Sequence, residues 1–552
     1  MAGSGPPLEL PPTYFNHPEF TAWLYAHIAL MTIAWTVILP LAVFMGTAKS
    51  RWAVPVQFLF LLVNAVGLLT SVVHDAKTPD LYPNNSHHKI GWAVTWIAVV
   101  WVLLGLLNLF NQRKQIRSHT TSGPPITSQS MAQNEQLNSY DFHHDYRYSR
   151  DSGHGTERGS SSLSGPTRTN SAEDVLQKPE PHLPSFPDSE HEDEEDPADH
   201  EANPFLNNST VDRFVTKRLH FLNLKSARLQ TAINFTYVVL ERFQVMLAFL
   251  ALTTGFVTWV GIFHEDGLLN GLAHWVKGGI FFWYGLLTLG RWMGAWSDWG
   301  WAWNVRPKHK ISRLAAKMPS AEFTESFVIF LYGSTNVFLE HLTAWGNAWS
   351  MMDLEHLSIT IMFFGGGLLG MLVESTRARK LLNTNVELKQ VETAHGARQL
   401  HDDAEEWETP KAYTTSLNPL PALIIFLLGL MMSNHHQDSA TSTTIHAQWG
   451  TLFSGFALAR ICTYLLMYLK PPTSYFPSRP PTELISAFCL ICGGLVFMAS
   501  TRDVIKMLDR NNLHAMFILT VMVGLSCLIM VWTVVLYAIK GWAARREAVR
   551  AR

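Results

Sequence analysis

The sequence predicts an all-α polytopic membrane protein with about eleven transmembrane helices in two modules, separated by a disordered cytosolic insert. Three observations carry this expectation. Of the 552 residues 47% are hydrophobic and 16% charged, yet mean hydropathy is only +0.07, so very apolar stretches must coexist with a very polar one. Apolar runs of roughly 18 to 25 residues recur, the length a helix needs to cross the hydrocarbon core. One long segment, 111–228, contains no such run.

In chain order the runs are 21–45, 54–73, 88–110, 231–263, 272–292, 323–342, 354–373, 420–432, 445–469, 482–500 and 514–539. The eighth is short and spans only with its flanks. These runs divide the chain into a short outer N-terminus (1–20), a three-helix module (21–110), a polar linker (111–228), an eight-helix membrane domain (229–542) and a basic tail (543–552). Lys and Arg concentrate in alternate loops, such as Arg113, Lys114 and Arg117, then Arg306, Lys308 and Lys310, and at the end Arg545, Arg546, Arg550 and Arg552. Basic loops resist translocation, so these sides are expected in the cytosol and the N-terminus outside. The first twenty residues lack a basic n-region and an apolar core, so no cleavable signal peptide is expected. Neither plasma membrane nor endomembrane is favoured.

The linker is rich in Ser, Pro and charge, and Asp188 to Glu201 holds nine acidic residues in fourteen. Such a segment buries too little apolar surface to fold, and its Ser-rich runs suit phosphorylation or simple spacing. A net charge of −2 excludes nucleic acid as an expected partner and leaves the lipid bilayer. All four cysteines, Cys462, Cys489, Cys492 and Cys527, fall in apolar runs. Cys489 and Cys492 form a CxxC that reads as small packing residues rather than a redox pair.

With this topology, twelve of the 24 histidines fall at the outer ends of the spans. Single interfacial histidines are unremarkable because the ring points into headgroups and water. A set on converging helix ends is different, since imidazoles are common ligands of first-row metals and carboxylates orient them. FLEHL places Glu340 beside His341, and DLEHL places Glu355 beside His356. HHQDSATSTTIH supplies His435, His436, Asp438 and His446. Short loops make the sixth and seventh spans neighbours, and likewise the eighth and ninth, so these eight residues are candidate ligands of zinc, iron or copper. The buried charges Lys277, Arg291, Glu325 and Arg460 read best as structural ion pairs, with Glu325 partnering Arg291 or Arg460.

AHIALMTIAWTVILP, with its order of His27, Leu30, Met31, Ala34, Trp35 and Pro40, resembles the first core helix of the transmembrane cytochrome b reductases. In that family four histidines on four helices hold two b haems. NNSHHKIGW matches the opening of its third helix, with His87 four residues before Gly91 and His88 as neighbouring candidate. The resemblance implies that His27 and His87 share an outer haem b. It departs at the inner pair: Val56 stands four residues after Trp52, and LERFQVMLAF holds no histidine. One haem at most is therefore implied.

HEDG at His264, GRWMGAWSDWGWAWN from Gly290, YGSTNVFLEHL from Tyr332 and the histidine hairpin at His435 together resemble a fungal family of yeast transmembrane proteins. That family implies membrane residence more firmly than an activity. The expected function is a membrane oxidoreductase with a histidine and carboxylate metal centre at the outer face, fed by a small molecule or metal ion from the lumen or exterior. A zinc-dependent membrane hydrolase, a metal-ion transporter and a non-catalytic scaffold are the alternatives, and whether the chain is an enzyme stays open at this point.

Overall fold

In hydrocarbon no water is available to an exposed N–H or C=O, so an apolar run must satisfy its backbone internally, and these runs become helices. The computed structural model describes residues 13–121, 227–264, 267–307, 317–340, 346, 348–396, 415–435, 437 and 439–550, with backbone alone for 110–121, 227, 337–340, 352 and 392–396. Among them are thirteen helices: α1 (Thr21–Thr47), α2 (Ala53–Asp75), α3 (His87–Thr121), α4 (Ala227–Val260), α5 (Gly267–Met293), α6 (Ala321–Glu340), α7 (Met351–Glu374), α8 (Thr376–Gly396), α9 (Leu420–Ser433), α10 (Ala440–Leu469), α11 (Thr482–Ala499), α12 (Arg502–Arg510) and α13 (Ala515–Arg550). Most of the polar linker lies outside the described residues.

A helix occupies each of the eleven apolar runs, but the expected count of eleven spans is corrected to eight. Among the described residues, α1, α2, α3, α4, α7, α10, α11 and α13 are long and apolar enough to cross a membrane. The other three fall short for a readable reason. α9 has 14 residues, α5 carries Lys277, Arg291 and several glycines, and α6 opens with Glu322 and Glu325. The expected division into two membrane modules is also corrected, because Met1–Asn108 and Ile233–Arg552 form a single compact unit.

α13, the last helix, makes much of that union. Inside α1, Pro40 has no N–H and its ring crowds the carbonyl four residues earlier, and the helix widens into a π turn over Ile33–Ile38. The Thr36 carbonyl that loses its helical donor accepts the indole N–H of Trp532 from α13 at 2.9 Å. Ala543 of α13 packs on Met45 and Ala53 one end further along. Trp532→Phe, which removes that hydrogen bond, is expected to lower stability by about 0.5–1.5 kcal/mol, read as an earlier thermal unfolding transition in detergent.

α1 to α4 close around Trp35, Leu39, Phe60, Val94, Trp101 and Ala248. A second core fills the space among α5, α6, α7, α9, α10 and α11. Small residues let these helices touch, as lipid-embedded packing favours. A Cβ on Gly278 of α5 would stand 2.6 Å from the Gly494 carbonyl of α11, and the reverse holds for Gly494. Cys489 and Cys492 lie buried as free thiols on that same packed helix, as the packing reading expects.

Five charges sit in this second core. Arg291 contacts Glu322 at 2.9 Å and Glu325 at 2.7 Å, and Arg460 contacts Glu325 at 3.2 Å and Glu483 at 2.8 Å. Glu325 thus bridges both arginines rather than one. The Arg291 guanidinium also lies 4.2 Å from the Trp303 ring centre and donates through Nε to the Trp301 carbonyl at 2.7 Å. The ions join α5, α6, α10 and α11 near the start of α6, which explains why α5 and α6 can be less apolar than their neighbours.

Candidate functional site

At the start of α1 and of α3, His27 and His87 face each other with ring centres 6.4 Å apart and planes inclined at 67°. His27 Nδ1–H donates to the Gly67 carbonyl of α2 at 2.9 Å. Thr254 of α4 gives its own hydroxyl proton to the Leu250 or Ala251 carbonyl. Its oxygen therefore accepts from His87 Nδ1–H, at 3.3 Å. With both Nδ1 atoms protonated, both Nε2 atoms carry the lone pair, the form an imidazole needs to bind a metal.

All four helices of the bundle contribute here. α1 and α3 bring the rings, α2 and α4 bring the groups that orient them. Gly255 of α4 is required by closeness, since a Cβ there would stand 2.9 Å from His87 Cε1. One turn along α3 from His87, nothing lies within 4 Å of where a Cβ on Gly91 would be. His88, the neighbouring candidate, is exposed and packs on Trp92 instead. The reason is helical geometry, since successive residues point about 100° apart.

The second set of candidate ligands is only partly in view. His341, His436 and Asp438 lie outside the described residues, as does the side chain of Glu340. Of the rest, Glu355 at the start of α7 contacts His435 after α9, with Oε2 3.5 Å from Nδ1. His356 lines a largely apolar cavity of about 870 Å³ that also reaches Asn336 and Glu325. His446 is buried, donates through Nδ1 to the Ser442 carbonyl at 2.8 Å, and lies beside Trp449. Its imidazole neighbour is His274 of α5, with ring centres 6.3 Å apart. That pairing escaped the sequence reading, which joined only consecutive spans. Among the described residues, no three of His, Cys, Asp or Glu stand close enough to hold one metal ion between them.

The loops beside these histidines are tied together. Tyr82 O–H donates to the Ile262 carbonyl at 2.8 Å, Asp503 of α12 accepts the Phe263 N–H at 2.8 Å, and His264 stacks on Tyr82. Burial, and behind it the Asp503 carboxylate, pushes the Tyr82 hydroxyl above its ordinary pKa, so this strap stays a hydrogen-bond donor throughout the neutral range.

Two family models match the chain: "Protein YTP1-like, C-terminal" over residues 247–541 and "Domain of unknown function (DUF2427)" over residues 9–111. An uncharacterised membrane protein of Schizosaccharomyces pombe is 34% identical over 97% of this chain and 96% of its own length. An uncharacterised membrane protein of Saccharomyces cerevisiae is 40% identical over 59% of this chain and 52% of its own length. Protein YTP1 of the same yeast is 26% identical over 56% of this chain and 57% of its own length. No solved structure matches the chain.

Proposed function

We propose, for a chain that belongs to the YTP1-like family of fungal membrane proteins, that it is a membrane oxidoreductase whose α1–α4 bundle holds one b-type haem between His27 and His87. The single observation that carries this reading is the facing pair of imidazoles, 6.4 Å between centres. His27 and His87 would hold the haem iron through the Nε2 atoms that their Nδ1 hydrogen bonds leave free. Such a group would need only two protein ligands, so a pair of histidines would suffice to hold it.

The residues divide the work. Gly67 and Thr254 hold the rings in the metal-binding tautomer, Gly255 admits His87 against α4, and Gly91 leaves room beside it. When bound, the haem supplies one-electron transfer. Among the residues with described side chains, the other end of the bundle offers the buried Gln57 and Gln244. The reduced-minus-oxidised absorption spectrum of the purified protein tests this.

A specific contact supports a second reading. Glu355 against His435, with His446 in the same region, has the make-up of a carboxylate-oriented metal centre for zinc, iron or copper. It predicts a stoichiometric metal that is lost in His446→Ala or His436→Ala and kept in His27→Ala, measured by elemental mass spectrometry.

The histidine end faces the lumen or exterior in this proposal, with the C-terminus in the cytosol. Asn84 stands in an N-x-S sequon on the loop before α3 and is exposed. It is expected to be glycosylated in cells, giving a mobility shift that endoglycosidase reverses, while the sequons at Asn207 and Asn208 stay bare. Glycans at Asn207 or Asn208 in place of Asn84 would invert the topology.

A further inference from the structure

Away from the histidine pair the interior of the α1–α4 bundle turns polar. Gln57 and Gln244 are fully buried, and Glu241 is 3% exposed. Tyr237, Glu241 and Gln244 lie on one face of α4 at successive turns. Tyr237 O–H donates to Glu241 Oε1 at 3.0 Å, and Gln57 Nε2 donates to the Tyr237 oxygen at 3.4 Å. Gly105 of α3, close to both Tyr237 and Gln57, lies 18 residues after His87, or about 27 Å along the helix. The polar cluster and the histidine pair are thus at opposite ends of one bundle.

Two features set the cluster apart. Gln57 Oε1, both amide atoms of Gln244 and the Trp101 indole N–H are buried without a hydrogen-bond partner. Unpaired buried polar groups of this kind are met by ordered water in native proteins. A metal cation would meet the oxygens and leave the indole and amide donors unmet, whereas water, both donor and acceptor, serves all of them.

The second feature is the carboxylate itself. The other strongly buried glutamates, Glu322, Glu325 and Glu483, each contact an arginine. Glu241 has only the Tyr237 hydroxyl among the described residues. Arg242 on its own helix and Lys540 on α13 are the charged groups within electrostatic reach, and neither is at ion-pair distance. The α2 and α3 residues beside its tyrosine partner are the neutral Gln57 and Trp101. α1 faces it with Gly46, where any side chain would overlap Glu241 Oε1. An isolated carboxylate without a cation is costly in an apolar interior and is relieved by taking up a proton.

We propose that Glu241 is a proton-binding site, reached through internal water held by Tyr237, Gln57 and Gln244 from the end of the bundle where Gly46 closes α1. The proposal rests on the bundle interior alone and is independent of whether a haem is bound.

Dicyclohexylcarbodiimide, an apolar reagent that modifies carboxyls only when protonated, tests it on the full-length protein in detergent, with adducts located by peptide mass spectrometry. Glu241 is expected to be modified, while the arginine-paired Glu322, Glu325 and Glu483 are spared. The yield is expected to fall roughly tenfold per pH unit above the midpoint of Glu241. Tyr237→Phe removes the donor that favours the charged form, so it should move that midpoint to higher pH. Glu241 left unmodified across the range from about pH 5 to about pH 9, or modified no more than Glu325, would overturn the proposal.

Discussion

Glu325→Gln is expected to destabilise the protein by about 3–5 kcal/mol, the largest effect foreseen for any substitution outside the histidine pair. Glu325 touches both Arg291 and Arg460, and each of those guanidiniums is about 1% exposed. Neutralising the bridge leaves two buried arginines shared between Glu322 and Glu483. The same cluster joins α5, α6, α10 and α11, so the loss spreads across four helices. The midpoint of thermal unfolding in detergent reads it. A variant that unfolds at the wild-type temperature would mean that the contacts seen at Glu325 do not hold these helices together. Replacing Glu325 and Arg460 together with apolar residues should recover part of the loss, because breaking a buried pair costs more than removing it whole.

His87→Ala is expected to abolish haem binding in the purified protein, and His27→Ala to do the same, since a six-coordinate iron between two imidazoles depends on both. His88→Ala is the matched control. It removes a histidine from the neighbouring position, but that ring is exposed and turned toward Trp92, so the spectrum should be unchanged. Thr254→Val, which takes away the acceptor for His87 Nδ1–H, should weaken binding by about 10- to 100-fold, the usual range for groups that orient a metal-bound histidine. A spectrum lost in His88→Ala and retained in His87→Ala would move the ligand and contradict the geometry.

How much of this was legible depends on whether the signal was local. The apolar runs announced eleven of the thirteen described helices, missing the polar α8 and α12, and the Glu325 pairing was anticipated, though as one partner and not two. The choice between His87 and His88 could not be made from adjacent letters, because it depends on which way α3 turns its first residue toward α1 and α4. The union of the two expected modules was invisible for a different reason. It rests on Trp532 meeting a carbonyl freed by Pro40 nearly five hundred residues earlier, and no periodicity encodes that. His274 and His446 pair across α5 and α10, which are not consecutive, so a reading that joined neighbouring spans passed over them.

The polar interior of the first bundle had a trace that was available. Tyr237, Glu241 and Gln244 fall at i, i+4 and i+7 within an otherwise apolar helix, the spacing of one face. LERFQVMLAF is notable for more than the histidine it lacks. What it holds instead is a buried glutamate and a buried glutamine, the glutamate linked to Gln57 of α2 through Tyr237.

The most direct test of the redox reading is the reduced-minus-oxidised absorption spectrum of the full-length protein purified in detergent, with haem and protein quantified on the same sample. The account predicts the spectrum of a six-coordinate b-type haem at about one per chain. Protein purified under haem-replete expression, folded by its unfolding transition and carrying no haem in either redox state, would contradict it.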